Sequence, residues 1–403
     1  MSEAVNIPQL RFPEFREEWK IVKLTDIVDV MTDYVAAGSF ESLRNNVTVY
    51  DKPNYAIYLR LTDLRKGIYH KDLKYVDRSS YDFLNKSNLC GGEILMANIG
   101  ANVGDTYLMP VIDDFATIAP NMIVIKENRL EFLSAFLFYW LNTRKGEKSI
   151  NTAISGSGQP KINKTDLKQI KISLTSQLEQ AKIASFLTAV DNKIEQLSKK
   201  QELLGEYKKG VMQQIFSQVT RFKADDGSEF PDWEEKKFDD IFNISAGGDI
   251  NKSNTNPIQN EKYKYPVYAN SGKNKGLYSY SDIYKQDEDC VTVTGRGALG
   301  LAVARYDKFY PIVRLLVLRG KQELNIKFFE EAINLVRIYN ESTGVPQLTA
   351  PQFKSYKTSY PCLPEQTKIA NFLSSIDSRI EQVGKQLDES KQFKKALLQQ
   401  MFV

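Results

Sequence analysis

One stretch of this chain is written twice. Residues 179–216 read EQAKIASFLTAVDNKIEQLSKKQELLGEYKKGVMQQIF, and residues 365–402 read EQTKIANFLSSIDSRIEQVGKQLDESKQFKKALLQQMF. They align without a gap at an offset of 186, and most differences are conservative, such as Val190/Ile376, Lys193/Arg379, Tyr207/Phe393 and Ile215/Met401. The offset reaches upstream, where Gly158, Pro160, Ile162 and Leu167 pair with Gly344, Pro346, Leu348 and Phe353. A solenoid unit runs about 20–50 residues, so this is a duplicated module of domain size. A duplicated module implies a target with two related halves.

The modules also begin alike. Trp19–Ile27 (WKIVKLTDI) resembles Trp233–Ile241 (WEEKKFDDI), and a Phe-Pro pair precedes each, at Phe12-Pro13 and Phe230-Pro231. Between start and repeat, the bodies at 28–157 and 242–343 have little in common. Matching ends around unrelated middles predict one scaffold carrying two different readers.

The repeated segments are helical by period. Ile183, Val190, Leu197, Leu204 and Val211 recur every seven residues in the first; Ile369, Ile376, Val383 and Leu397 hold the same seam in the second, interrupted by Ser390. Leu187, Ile194 and Ile215 flank the first seam, and Leu373, Ile380, Leu387 and Met401 the second. Five heptads with charged outer faces predict long coiled-coil helices. Pro364 followed by Glu365 reads as a helix start. At 1.5 Å per residue, about 37 residues span roughly 55 Å. We read the two helices as pairing with each other, antiparallel, as a rigid spacer with an approximate two-fold axis; two independent dimerisation helices are the alternative. The outer stripe Leu187, Ile194 and Ile215 is expected to pack on another surface, making the chain poorly soluble alone.

The bodies mix strands and helices. Tyr55–Thr62 alternates as a half-buried strand, with Ile57, Leu59 and Leu61 on one face, ended by the loop Asp63–Gly67. Glu93–Gly100 and Asp289–Gly295 read as strands running into glycine turns, Ile123–Ile125 and Leu315–Leu318 as short buried strands, and Phe132–Leu141 as an apolar helix. Polar loops fall at Asn98–Asn102, Thr152–Lys161, Asn270–Gly276 and Gly295–Gly300. The expected fold is therefore α+β: two α/β domains joined by two long helices. The boundaries are 1–177 for the first domain, 178–218 for the first helix, 219–363 for the second domain and 364–403 for the second helix.

Composition narrows the function. The chain has 54 basic and 50 acidic residues, a net of +4, so any nucleic-acid contact needs clustered basic side chains or a partner that supplies phosphate contacts. Cys90, Cys290 and Cys362 are too scattered for a zinc knuckle, and reduced thiols in a cytoplasmic protein are expected. The N-terminus has no signal-peptide pattern, and no apolar run reaches membrane-spanning length.

Catalytic chemistry is missing. Gly295–Gly300 (GRGALG) spells a dinucleotide fingerprint, but Leu301–Tyr306 reads as a further strand, which makes the glycines a hairpin turn. Asp232, Glu234 and Lys236 crowd one segment, with no counterpart set in Phe15–Lys23, and read as a surface charge cluster. The chain has no Asn/Asp-Pro-Pro-aromatic loop of the kind amino-methyltransferases use. The only histidine, His70, sits in a predicted loop with no Cys or Asp/Glu constellation, so neither a metal site nor a triad is expected.

The duplicated PEQxKIAxFLxxIDxxIE…QQxF segment, at 364–402 and in variant form at 178–216, resembles the conserved regions of type I restriction–modification specificity subunits. The Trp-x-x-x-x-Leu/Phe-x-Asp-Ile starts and the strand–glycine turns resemble that family's target-recognition domains. The resemblance implies two α/β target-recognition domains, each reading half of an asymmetric bipartite site in double-stranded DNA across an unread spacer. It also implies no cofactor or reaction of the chain's own. Two methyltransferase subunits would carry S-adenosylmethionine, and restriction (motor–nuclease) subunits would join through the complex. Within the family pattern, Ala101 stands where the turn Gly297-Ala-Leu-Gly300 has its first glycine, which puts the first loop's backbone conformation in question. A scaffold binding two proteins without DNA contact is the rival reading.

Arg and Lys can bond guanine edges, and Asn and Gln adenine edges. On those grounds the candidate DNA contacts in the first body are Arg60, Arg65, Lys66, Asn98, Asn102, Ser155, Ser157, Gln159 and Lys161. In the second they are Ser271, Lys273, Asn274, Lys275, Arg296, Arg314 and Gln347.

Overall fold

The computed structural model describes residues 6–68, 70–127, 134–156, 158–336, 338 and 347–403. Ser157, the repeat partners Gly344 and Pro346, and the first two residues of the expected helix Phe132–Leu141 lie outside these; the helix is seen over Ser134–Leu141. The chain forms two compact units, Met1–Lys199 with Gly384–Val403, and Lys200–Val383.

In the first unit, the strand Lys20–Lys23 pairs antiparallel with Lys171–Leu174, immediately before the long helix Gln177–Phe216. The main sheet runs Val28–Asp33, Met122–Glu127, Ile94–Ala97, Thr106–Leu108, all antiparallel. A five-stranded sheet stands beside it, with Ala56–Leu59 parallel to Phe115–Ile118. The second unit repeats the frame. Glu234–Lys237 pairs with Lys357–Tyr360, and the main sheet runs Phe242–Ala246, Leu316–Gly320, Cys290–Val293, Ala302–Arg305. Its companion sheet differs: four strands, with Tyr265–Tyr268 parallel to Tyr310–Pro311. Shared frames with unlike companion sheets are what matching ends and divergent middles look like in three dimensions.

The duplicated residues have duplicated work. Trp19 lies 5.6 Å from Phe136 and 6.1 Å from Phe402, ring centre to ring centre. Trp233 sits 5.8 Å from Phe328 and 6.0 Å from Phe216, in the other unit. Each tryptophan thus packs between a phenylalanine of its body helix and one near the end of a long helix. The Glu-Gln pair of the repeat is buried rather than a solvated first-turn acid. Glu179 accepts from Arg11 at 2.7 and 2.8 Å, and Glu365 accepts from Arg221 at 3.2 and 2.7 Å. Gln180 and Gln366 each donate to the backbone carbonyl five residues earlier, at Thr175 and Pro361. Across the helices, Asp191 pairs with Lys394 at 2.6 Å in the first unit and Asp377 with Lys208 at 2.7 Å in the second, again the same two repeat positions.

The helix seam is packed within each unit. In the first, Ile183, Ala184 and Leu187 share a core with Leu397, Met401 and Phe402; in the second, Ile215 shares one with Ile369, Ala370, Leu373 and Ile376. The start of one long helix therefore packs with the end of the other in each unit, as antiparallel pairing requires. Leu197 and Val383 are buried, and Val190, Leu204 and Val211 half-buried. Ser390 turns its hydroxyl back to the Gln386 carbonyl, the usual way a helix accommodates serine.

Four expectations need correction. Leu187 and Ile215 are 0% and 2% exposed, so the supposed outer stripe is the second row of the same seam, spaced alternately four and three residues from the first; poor solubility does not follow from it. Tyr55–Thr62 is not a half-buried strand: all of Ala56–Leu59 is buried, and Leu61–Lys66 is a short helix capped by Asp63. His70 does have an acidic partner, with Nε2 3.0 Å from Asp63 Oδ1. Its Nδ1 accepts the Asp72 N–H, so both ring nitrogens are engaged in holding the chain. Finally, Gly100 rather than Ala101 occupies the position of Gly297, as the loop geometry below makes plain.

Candidate nucleic-acid interface

At one end of each main sheet, a glycine turn joins two neighbouring strands. In the first unit it links Ile94–Ala97 to Thr106–Leu108; in the second it links Cys290–Val293 to Ala302–Arg305, the hairpin expected in place of a dinucleotide loop. Both turns take left-handed backbone at two glycines: Gly100 (φ 94°) and Gly104 (φ 93°), Gly297 (φ 70°) and Gly300 (φ 81°). L-residues pay a steric penalty there. The two turns therefore share a conformation, with one more residue in the first.

A second segment closes on each turn. Ile99 bridges Lys161, and Ile162 N–H donates to Asn98 O at 2.9 Å; Arg296 bridges Gln347, and Leu348 N–H donates to Gly295 O at 2.9 Å. Lys161 and Gln347 are the same repeat position, 186 apart, so the frame presents different chemistry at matched places. In the first unit this closing segment is a hairpin in which Ser155 pairs with Lys161, with Gln159 in its turn. A third element is a left-handed turn at the start of the neighbouring strand, at Asn121 (φ 74°) in the first unit and at Val313 and Arg314 (φ 54° and 60°) in the second. A β-branched residue at positive φ is a strained conformation.

These contacts gather most of the candidates. In the first unit Asn98, Asn102, Ser155, Gln159 and Lys161 lie on the glycine turn and its hairpin. Arg65 joins them through Tyr107 Oη at 3.2 Å and Asp105 at 3.5 Å. Arg60 does not: its guanidinium is held by the fully buried Asp63 at 2.6 and 2.9 Å and by the Asp72 carbonyl. Burial would raise the Asp63 carboxyl, but hydrogen bonds from Arg60 hold it below its ordinary value. Lys66 pairs with Asp72 on that same side, at 3.4 Å. In the second unit Ser271, Lys273, Asn274 and Lys275 occupy one loop, Arg296 the glycine turn, Arg314 the left-handed turn and Gln347 the closing segment. Lys273, Asn274, Lys275 and Arg314 are exposed.

Several participants carry no local sequence signal. Asp33 ends the edge strand Val28–Asp33, opposite Ile123 and with the strand Met122–Glu127 between it and the strand that enters the first glycine turn. It is 7% exposed, with Lys164 at 2.7 Å from one oxygen. A carboxylate there has the chemistry to accept from a cytosine amino group. Asn270 opens a predicted loop but only its contacts reveal its place: it accepts the Gly295 N–H at 2.6 Å and donates to the Val313 carbonyl. Arg305, 5% exposed, stacks 3.5 Å over the Tyr268 ring and donates to Thr292 and to the Lys275 carbonyl. Burial lowers its pKa and pushes the Tyr268 hydroxyl up to about 12. Among the described residues no His/Cys/Asp/Glu group is arranged for a metal ion, and no helix is long and apolar enough to cross a membrane.

The comparisons agree with this arrangement. The family model for the type I restriction modification DNA specificity domain matches residues 16–204 and again 231–389. A putative type I specificity subunit of Mycoplasma pneumoniae is 28% identical over 63% of this chain and 67% of its own length. A putative type I restriction enzyme specificity subunit of Methanocaldococcus jannaschii is 26% identical over 98% of this chain and 95% of its own. The crystal structure of a type I restriction–modification S subunit from M. genitalium superposes with a TM-score of 0.66 at 16% identity, covering 98% of this chain and 99% of that one. With its frame duplicated and the family model matched twice along its length, the chain belongs to the type I restriction–modification DNA specificity family, as a specificity subunit.

Proposed function

We propose that each unit reads one half of an asymmetric bipartite site in double-stranded DNA, through the loop clusters at the glycine turns. The long helices set the length of the unread spacer and dock two methyltransferase subunits; restriction subunits join through that complex. S-adenosylmethionine and the transfer chemistry reside on the methyltransferase partner, and this chain contributes recognition alone. One observation carries the reading: the same frame holds unlike side chains at matched positions, Asn98, Ile99 and Lys161 in one unit against Gly295, Arg296 and Gln347 in the other. A common support with exchanged polar contacts is how base specificity is varied without changing the docking geometry. The rival, a scaffold for two proteins without DNA contact, gives no reason for that pattern.

The test is a gel shift on duplex containing the methylated site, with the methyltransferase subunits present. Sequence-selective retardation is expected, and identical retardation of scrambled duplex would overturn the proposal. Within the second half-site, Arg296→Ala should relax one base position with a loss of about 1–3 kcal/mol if the guanidinium reads a base edge. A uniform loss across sequences would make it a phosphate contact instead.

The spacer has its own test. Four residues inserted near Ser198–Gln201 lengthen a helix by roughly 6 Å at 1.5 Å per residue. DNA rises about 3.4 Å per base pair, so mapped methylation sites should show a spacer longer by one or two base pairs, with both half-sites unchanged. An active variant with an unaltered spacer would show that the helices do not set the distance.

A further inference from the structure

The two units join the glycine turn to the left-handed turn by different means. In the first, the connection is direct: the Asn98 N–H donates to the Asn121 carbonyl at 3.1 Å. In the second, the equivalent N–H belongs to Gly295, and an asparagine side chain stands between the two turns. Asn270 Oδ1 accepts from Gly295, and Asn270 Nδ2 donates to Val313 O. We propose that Asn270 is the positioning residue of the second reader, the amide that sets the spacing among the three loops carrying Arg296, Arg314 and Ser271–Lys275.

Three features support the assignment. First, the site is tight: a Cβ on residue 295 would sit 2.8 Å from Leu348 O and 3.2 Å from Arg314 O, so the glycine turn cannot approach the other loops through a side chain of its own. Second, the turn being held is strained. Val313 and Arg314 both have positive φ, and their N–H groups are tied to the carbonyls of Gly248 and Gly247 at 3.0 Å. Such a conformation persists only where surrounding contacts over-determine it, and the Val313 carbonyl is the one that Asn270 holds. Third, the loop that Asn270 opens is fixed at its other end. Asn274 and Lys275 are left-handed (φ 47° and 49°), the buried Arg305 holds the Lys275 carbonyl, and Ala269 N–H donates to Gly276 O at 2.9 Å. With both ends pinned, Asn270 ties this loop to the other two. A side-chain amide suits the task because it offers one acceptor and one donor in a fixed plane.

This inference rests on the DNA-reading function proposed above. The experiment compares the wild-type chain with Asn270→Ala, each assembled with the methyltransferase subunits, by methylation rates on the full site and on sites altered in one half. The wild type should discriminate at both halves. Asn270→Ala should lose about tenfold in discrimination at the second half-site, keep that at the first, and leave the thermal midpoint of the first unit in place. Asn270→Asp, which retains the acceptor for Gly295 but loses the donor to Val313, should fall between. Should Asn270→Ala fail to fold, Asn270→Asp carries the test alone and should show a smaller loss confined to the same half-site. Undiminished discrimination at the second half-site by a folded Asn270→Ala, or by Asn270→Asp in its place, would overturn the positioning role while leaving DNA reading intact. A wild-type complex without sequence preference would overturn both.

Discussion

Glu365→Ala is expected to destabilise the second unit by about 3 kcal/mol, near the lower end of the range for removing one partner of a buried ion pair. The Glu365 side chain is fully buried and accepts from Arg221 through Nε and Nη2 and from Trp233 Nε1 at 3.3 Å. Alanine would leave the Arg221 charge facing a void, with the Phe230 and Pro231 carbonyls and the exposed Asp232 carboxylate, 3.6 Å from Nη1, as its remaining partners. Because Arg221 is one-fifth exposed, water offsets part of the loss, which sets the expectation below 5 kcal/mol. Joint replacement of Glu365 and Arg221 by methionine should recover most of the stability, since apolar residues of similar volume substitute for buried pairs at little cost. Chemical denaturation of the three proteins measures both numbers; a single-mutant loss under about 1 kcal/mol would class the pair with ordinary surface contacts.

A larger functional change is expected from exchanging residues 28–157 for the corresponding body of a related subunit. The half of the methylated sequence read by the first unit should change, apart from any base held by the retained Gln159 and Lys161, and the other half should stay as it was. The frame explains why the exchange is tolerable: the strand Lys20–Lys23 and its partner Lys171–Leu174 lie outside the replaced segment, as does the long helix. Mapping methylated positions in DNA from cells carrying the chimera decides the matter, and simultaneous change of both halves would rule out one reader per unit.

Repetition made the frame legible before any coordinates. The repeated heptads gave both long helices, and the Trp19 and Trp233 starts marked equivalent strands. The same comparison held one more clue: Arg11-Phe12 and Arg221-Phe222 precede the two starts, and both arginines meet a buried glutamate of the repeat. Local patterns misled at Ile57, Leu59 and Leu61. Their alternation mimics a strand with one wet face, while the chain uses Ala56–Leu59 as a strand buried on both faces and turns Leu61 into a helix. Parallel pairing with Phe115–Ile118 is a non-local fact that no short window contains. The loop clusters were half legible. Glycines announced the turns, but the partners that gather them, Asn121, Asn270 and Arg305, are ordinary in their own neighbourhoods and acquire meaning only through contacts with distant segments. Leu187 and Ile215 show the opposite failure, where a second core row one step from the seam resembles an outward face.

The placement of Trp19 against Phe402 bears on how this protein is made. The first unit begins to emerge from the ribosome early, yet Leu397, Met401 and Phe402 belong to its core, and they are translated only after the whole of the second unit. At roughly 5–20 residues per second, the gap of about 380 residues between tryptophan and phenylalanine is a wait on the order of 20–80 s. During that interval the nascent first unit holds an uncovered apolar wall on Ile183, Ala184 and Leu187, while the second unit has both of its helix segments as soon as Val383 has left the tunnel. The earlier-encoded unit therefore cannot complete its core until the later-encoded one has been synthesised, the reverse of the usual N-terminal-first order.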